Sequence, residues 1–269
     1  MDKVSVIITT KNEENHIKDC LKSVIKQTYP NIEIIVVDNN STDDTASIAK
    51  RFGIKVYNKG PERSAQRNYG ANISSGKYIL YLDADMILSP DLVKNCVEII
   101  SKDPSITGLH IPEKIIGNGF WIKVRDFERS FYNGTAVDCV RFVSRKAFDE
   151  VNGFDLNMTG PEDWDFDKKI RSIGKVKITK SKLYHNEGIF NIRNYLVKKQ
   201  YYSNSFGTYV TRWGKNDPDI KKQLGVFYRL FWVFIEKGKC FKLFAHPILT
   251  TGMYYLRLRV ALNYLRVKK

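Results

Sequence analysis

The chain has 269 residues, 43% hydrophobic and 27% charged, a globular balance that argues against wholesale disorder and suits one large domain or a domain with an appended segment. Its four cysteines, Cys20, Cys96, Cys139 and Cys240, form no CxxC pair, which argues against a structural zinc or a disulfide framework and fits a reducing compartment. The net charge of +15 is uneven: residues 190–269 carry 16 Lys and Arg against 3 Asp and Glu, whereas the first 189 carry 28 against 26.

In chain order, "VSVIIT" (4–9) reads as a buried strand, too short for a signal-peptide core, and "EENHIKDCLKSVIKQ" (13–27) as a helix with Ile17, Leu21, Val24 and Ile25 on one face. "IEIIVVD" (32–38) is a second strand. "STDDTASIAKRFG" (41–53) follows as a helix with Ser41 or Thr42 as its cap and Gly53 as its stop. "IKVYN" (54–58) is a third strand, "SAQRNYGANIS" (64–74) a short helix, "KYILYLD" (77–83) a fourth strand, and "SPDLVKNCVEIISK" (89–102) a helix with Pro90 at its start. The pattern is less regular over 119–143, and 151–174 then offers a glycine turn, an acidic knot and a helix. Alternation at this spacing predicts an α/β fold, with a parallel sheet between helices and a ligand site beyond the carboxyl ends of the strands.

Beyond residue 188 the chain becomes basic and aromatic, with 17 of its 34 aromatic residues after position 189. Leu224, Phe227, Tyr228, Phe231, Trp232 and Ile235 recur at helical spacing. In the last stretch, Leu and Tyr oppose Arg257, Arg259, Arg266, Lys268 and Lys269. Such helices suit an anionic membrane surface, while no window approaches the ~18 apolar residues of a spanning helix. The expected location is cytosolic, peripheral on the cytoplasmic face of a membrane.

Polar residues gather where the strands end: Thr10, Lys11, Asn12 and Glu13 after the first, Asp38 to Ser41 after the second, Asp83 and Asp85 after the fourth. A strand as apolar as "KYILYLDADM" does not end in two acids without a cationic partner or water, because burying an unpaired carboxylate is costly. GxxxxGK[ST] and GxGxxG are both absent, so neither a P-loop enzyme nor an ordinary dinucleotide binder is expected.

Taken together, "VSVIITTKNEENHIKDCLKSVIKQTYPNIEIIVVDNNSTDDT", "DADM" and "GFDLNMTGPEDWDF", in that order and spacing, resemble a family-2 glycosyltransferase with the GT-A fold, over about residues 4–188. The resemblance implies a GT-A catalytic domain at 1–188, Rossmann-like with a mixed sheet flanked by helices, followed by a helical, membrane-associating or acceptor-binding segment at 189–269. It further implies a nucleoside-diphosphate sugar donor, UDP- or GDP-linked, bound with Mn²⁺ or Mg²⁺ as cofactor. Asp85 would ligate the metal. Asp83 and Ala84 would lie beside it, with Asp83 meeting the ribose or a metal-bound water, and His185 would be an extra metal ligand. Thr10, Lys11, Asn12, Glu13, Asp38, Asn40, Arg67 and Asn68 would line the nucleotide pocket. Asp163 would be the general base of an inverting transfer, with Glu162 assisting. Tyr209 stands where processive members carry the glutamine of Gln-x-x-Arg-Trp, here "YVTRW", which implies transfer of a single sugar.

The acceptor expected from the basic tail is lipid-linked, a polyprenyl phosphate or a growing lipid-linked glycan. A nucleotidyltransferase making sugar nucleotides is the nearer alternative, although "TTKNEEN" lacks the Gly-rich basic loop it needs. A nucleic-acid-binding protein is the other, and it leaves three acidic strand ends unexplained, so no nucleic-acid partner is expected.

Overall fold

In a computed structural model, which describes residues 1–267 of the backbone and the side chains to Tyr264, seven strands form one sheet and three a smaller one. The strands are β1 (Val4–Thr10), β2 (Ile32–Asp38), β3 (Val56–Asn58), β4 (Tyr78–Asp83), β5 (Met86–Leu88), β6 (Ile106–His110), β7 (Glu113–Asn118), β8 (Val140–Ser144), β9 (Lys175–Ile178) and β10 (Leu183–Ile189). The helices are α1 (Ile17–Ile25), α2 (Thr45–Arg51), α3 (Arg63–Ile73), α4 (Leu92–Lys102), α5 (Phe120–Arg129), α6 (Arg145–Glu150), α7 (Glu162–Ile173), α8 (Ile192–Ser203), α9 (Phe206–Trp213), α10 (Pro218–Leu224), α11 (Val233–Ile235), α12 (Cys240–Ala245) and α13 (Pro247–Val267).

The large sheet runs β3-β2-β1-β4-β8-β6-β9, parallel from β3 to β4, with β8 antiparallel to both β4 and β6. It is therefore mixed. Alternation on the pleat gives each face its own core. Val4, Val6 and Ile8 of β1 pack with Leu80 and Leu82 of β4 against α1 and α4. Ile7 and Tyr81 face the other way, towards Phe148, Phe154, Phe166 and Ile170.

The register positions the site. Thr10 lies beside Asp38 and Thr9 beside Asp83, so the ends of β1, β2 and β4 share one edge. The small sheet, β5-β10-β7, brings His185 opposite Met86, next to Asp85.

Several expectations move. The helix expected over 41–53 starts only at Thr45, because Ser41 is used to bond Asp38. The three-residue strand β5 directly after "DAD" is new; it is too short to leave a periodic signal.

The tail packs on the rest of the chain as well as facing solvent. Tyr228, Val233, Phe234, Met253 and Leu256 share a core with Val124, Phe127, Phe131 and Tyr132 of α5 and the turn after it. The helix expected to run through 224–235 is broken: Tyr228–Trp232 is π-helical, and only Val233–Ile235 returns to α-helix. Arg257, expected on the outer basic face, turns inward to Glu128 at 2.7 Å. The side chain of Arg266, and Lys268 and Lys269 entirely, lie outside the described residues. Among the described residues, no helix is long and apolar enough to cross a membrane.

Candidate active site

The loops after β1 and β2 are laced together by their own polar residues. Asn12 has a left-handed backbone (φ 55°), and its Oδ1 accepts from Thr42 N–H at 2.9 Å. The Glu13 N–H donates to Thr45 Oγ1 at 2.7 Å, and the Glu13 carboxylate meets His16 Nδ1 at 2.8 Å. Burial and the nearby Asp85 charge push the Glu13 carboxyl up. Lys11 is exposed at the rim. Asp38 is buried and accepts from the Ser41 N–H at 2.8 Å and its hydroxyl at 2.5 Å, closing an Asx turn. Asn40, also left-handed, accepts from the Asn58 amide. Thr10 Oγ1 is buried without a partner.

Arg67 sits at the centre of the site. It is 1% exposed, its Nη2 lies 3.1 Å from Asp83 Oδ1 and its Nη1 lies 2.6 Å from Asp163 Oδ1. Its guanidinium is stacked over the rings of Tyr81 and Phe154 at 4.8 and 5.0 Å. Burial opposes its charge, but Asp163 and Asp83 together hold it more firmly cationic than an ordinary arginine. One turn earlier, on the same face of α3, Arg63 reaches Glu162 at 2.9 Å and Asp83 at 3.6 Å. With Thr9 donating at 3.1 Å as well, both Asp83 oxygens are already engaged. Against burial, Arg67 and Arg63 keep its carboxyl well below the usual range. Asp83, expected beside the ribose or a metal-bound water, is in this structure engaged by two arginines. Ala84 is buried and spends its N–H on Thr9 carbonyl. Asn68 departs from expectation: both ends of its carboxamide are spent on the Phe154 backbone, at 2.8 and 2.9 Å, so it pins the loop before α7.

Asp85 and His185 fit a divalent cation. Asp85 Oδ2 lies 3.0 Å from His185 Nε2, and Asp85 Oδ1 is buried with no partner among the described residues, a costly state that a cation would relieve. The other imidazole nitrogen meets Glu113 Oε1 at 2.9 Å, the carboxylate support that orients metal-binding histidines. Among the described residues, no three His, Cys, Asp or Glu side chains cluster tightly enough to hold a metal alone.

At the start of α7 the two adjacent acids differ. Glu162 is 2% exposed and bonded to Arg63 and to the Gly160 N–H; burial, then the neighbouring Asp163, pushes its carboxyl up. Asp163 is 20% exposed and, among the described residues, bonds only through Oδ1. Gly160 is required twice over: its φ is +105°, and a Cβ there would meet the Tyr202 carbonyl at 2.2 Å. Farther along the same helix, Asp165 is fully buried. It accepts from Trp213 Nε1 at 2.8 Å and Arg212 Nη1 at 3.1 Å, so the Arg-Trp pair clamps α9 to α7. Tyr209 is buried, with its hydroxyl on Gln223.

Helix α8 covers the crevice. Arg63 lies 5.2 Å from the Tyr202 ring, and the Lys198 ammonium, opposed by burial, is strengthened by Tyr202 and by Asp85. Sequence reasoning missed Arg63, Gln66, Glu113 and Lys198. Arg63 had a signal, its i,i+4 spacing to Arg67. Buried Gln66, which donates to the Thr10 and Val37 carbonyls, and Glu113, 72 residues from its histidine, had none.

Comparison with known proteins bears on the family and the fold. Residues 5–156 match the family model described as Glycosyl transferase family 2. An uncharacterized glycosyltransferase of Rickettsia typhi is 30% identical over 238 residues, covering 88% of this chain and 76% of that protein. Glycosyltransferase GlyA of Streptococcus pneumoniae is 39% identical over 99 residues, 35% of this chain but only 14% of GlyA, so the chain spans a small part of that relative. Among solved structures, the mannosyltransferase PcManGT from Pyrobaculum calidifontis, in complex with GDP-Man and Mn²⁺, superposes with a TM-score of 0.65 at 21% identity, covering 98% of this chain and 84% of that one. Staphylococcus aureus TarS 1–349, in complex with UDP-GlcNAc, gives 0.58 at 18% identity, over 97% and 89%. At those identities the likeness is one of fold, and it is the GT-A fold. The family match over more than half its length makes this chain a member of glycosyl transferase family 2, a glycosyltransferase enzyme.

Proposed function

We propose that the chain is an inverting, metal-dependent glycosyltransferase that moves one sugar from a UDP- or GDP-sugar to a lipid-linked acceptor at the membrane. One observation carries this reading. A single buried guanidinium, that of Arg67, joins the strand-end acid Asp83 to Asp163, so the donor end and the acceptor end belong to one crevice. The donors held by PcManGT and TarS, GDP-Man and UDP-GlcNAc, belong to the class such a crevice suits.

In this reading Asp85 and His185 would hold a Mn²⁺ or Mg²⁺, which would supply charge neutralisation for the donor's diphosphate. The loops of Thr10 to Glu13 and Asp38 to Asn40 border the base and ribose. Asp163, through its free Oδ2, takes the proton of the acceptor hydroxyl as that oxygen bonds to the anomeric carbon. The carbon–oxygen bond to the diphosphate breaks on the opposite face, which inverts the centre. Arg63 and Lys198 stand beside the departing charge. Arg67 fixes the orientation of Asp163, and Glu162 anchors Arg63.

The single transfer is supported by Tyr209, which is buried with its hydroxyl on Gln223 instead of facing a polymer channel. The membrane reading is supported by Phe241, Phe244 and Ile248, which are 78%, 80% and 72% exposed on an acid-free stretch, 237–267. The exposed Lys237 and Arg259 lie on that stretch, and a basic residue near anionic lipid contributes ~1 kcal/mol. The test is to incubate the chain with UDP- and GDP-sugars, Mn²⁺ and polyprenyl-phosphate or lipid-linked glycan acceptors, and to assign the product's anomeric centre by NMR. A single added sugar of inverted configuration, absent with Asp163→Asn, is expected. A retained configuration, or product formed equally by the variant, would refute the mechanism.

A further inference from the structure

On the side of α8 away from Asp85 lies a second group of charges that the transfer does not use. Arg125 pairs with Glu128 at 3.0 Å and Glu187 at 2.9 Å, and Arg257 reaches the same Glu128 at 2.7 Å, with the Tyr132 hydroxyl 2.6 Å from each of them. Two carboxylates thus serve two arginines. Lys199 and Arg229, both half-buried, belong to the same group, and neither makes an ion pair among the described residues. Lys199 lies 5.4 Å from the Tyr195 ring and Arg229 5.3 Å from the Tyr132 ring. The Arg257 side chain is 9% exposed, yet its Nε has no partner among the described residues.

We propose that Lys199, Arg229 and Arg257 form a binding site for a phosphate group, and that the phosphate belongs to a lipid head group. Arg229, and Lys199 whenever it is protonated, add positive charge beside buried Arg257, and an anion joining them would offset that repulsion. A phosphate, with several acceptor oxygens, suits an arginine fork and an ammonium together, and a single carboxylate does not. Burial and then the Arg125 charge pull the Lys199 ammonium down to about 7, a shift that a nearby anion would oppose.

The lipid assignment rests on what surrounds Arg229. Its own π-helical turn carries Phe231 and Trp232, 50% and 47% exposed, and Phe227, 67% exposed, immediately precedes it. A phosphate held by Arg229 would leave its acyl or prenyl chain against those rings. Lys198 and Lys199 are adjacent on α8, and the first feels Asp85 while the second feels Glu128. The phosphate site and the donor site are therefore both reached from neighbouring positions of α8. This suits a glycan whose lipid phosphate stays at Lys199 while its terminal hydroxyl reaches Asp163. The site itself does not depend on the proposed transfer.

The test uses the full chain with two probes: inorganic phosphate by calorimetry, and co-flotation with phosphatidylcholine vesicles with and without phosphatidic acid. Lys199→Ala/Arg229→Ala should weaken binding to phosphatidic-acid vesicles at least tenfold, while Lys237→Ala/Arg259→Ala costs less. Lys199→Arg should bind as wild type, which separates loss of charge from loss of fold, and melting temperatures check each variant. UDP or GDP binding should persist in the double variant, so failure of the donor reading would show separately. Loss of inorganic phosphate binding with unchanged vesicle binding would keep the site but overturn its lipid assignment. Equal binding of wild type and Lys199→Ala/Arg229→Ala to both probes, binding by neither, or an equal loss in the Lys237/Arg259 variant, would overturn the proposal.

Discussion

The guanidinium of Arg67 lies 3.1 Å from Asp83 and 2.6 Å from Asp163, two acids that stand 80 residues apart in the chain. Because Arg67 is buried, its removal leaves both carboxylates uncompensated. Arg67→Ala should cost about 3–5 kcal/mol of stability in urea unfolding and abolish turnover. Arg67→Lys should fold better but stay poorly active, since one ammonium does not span two carboxylates as a planar fork does. Wild-type activity in Arg67→Lys would show that the bridge is dispensable.

Asp163 and Glu162 should separate by role. Asp163→Asn is expected to lower kcat by roughly 100- to 10,000-fold with donor binding retained, the range for loss of a general base. Glu162→Gln leaves one acceptor oxygen for Arg63 and the Gly160 N–H and removes the charge pairing Arg63, so its effect should appear in stability and KM more than in kcat. Single-turnover kinetics on both variants distinguishes them.

Asp165 makes the Arg-Trp pair structural. Trp213→Phe removes one donor from a fully buried carboxylate and should cost about 1–3 kcal/mol of stability. Below its melting temperature the variant should still add one sugar per acceptor, checked by product mass.

The Lys199 ammonium predicts a pH effect on stability. Its folded value, about 7, lies below its unfolded one, so between these values the unfolded state binds more protons and stability rises with pH. The penalty is complete below the folded value and relieved as pH climbs past it. The groups facing Lys199 are Arg125, Glu128 and Tyr195, with Arg229, Lys198 and, through its hydroxyl on the Lys199 carbonyl, Tyr264. Lys199→Met should flatten the rise of melting temperature between pH 6.5 and 9 relative to wild type. Identical slopes would contradict it.

Much of the fold was legible because β1, β2 and β4 read as largely apolar runs, interrupted only by Ser5 and Glu33, and their polar ends mark one sheet edge. The antiparallel β8 was not legible, since nothing in "VRFVS" encodes its partner's direction. For Arg67 the sequence supplied the residue but not its burial, which Tyr81 and Phe154 create from distant segments. The tail was read correctly as aromatic and basic, but its period does not separate Tyr228 and Phe234, which enter the core, from Phe227 and Phe231, which do not. Asn68 was expected in the nucleotide pocket only through the family resemblance, which says nothing of what its carboxamide bonds. Only the loop at Phe154 reveals its use.

The most direct test of the account is calorimetric titration of UDP and GDP, with and without Mn²⁺, into wild type and Asp85→Ala. Binding of one nucleotide that requires the metal and is lost in Asp85→Ala is the predicted result. Equal binding without metal, or binding unchanged in Asp85→Ala, would contradict a metal-bridged donor at Asp85 and His185.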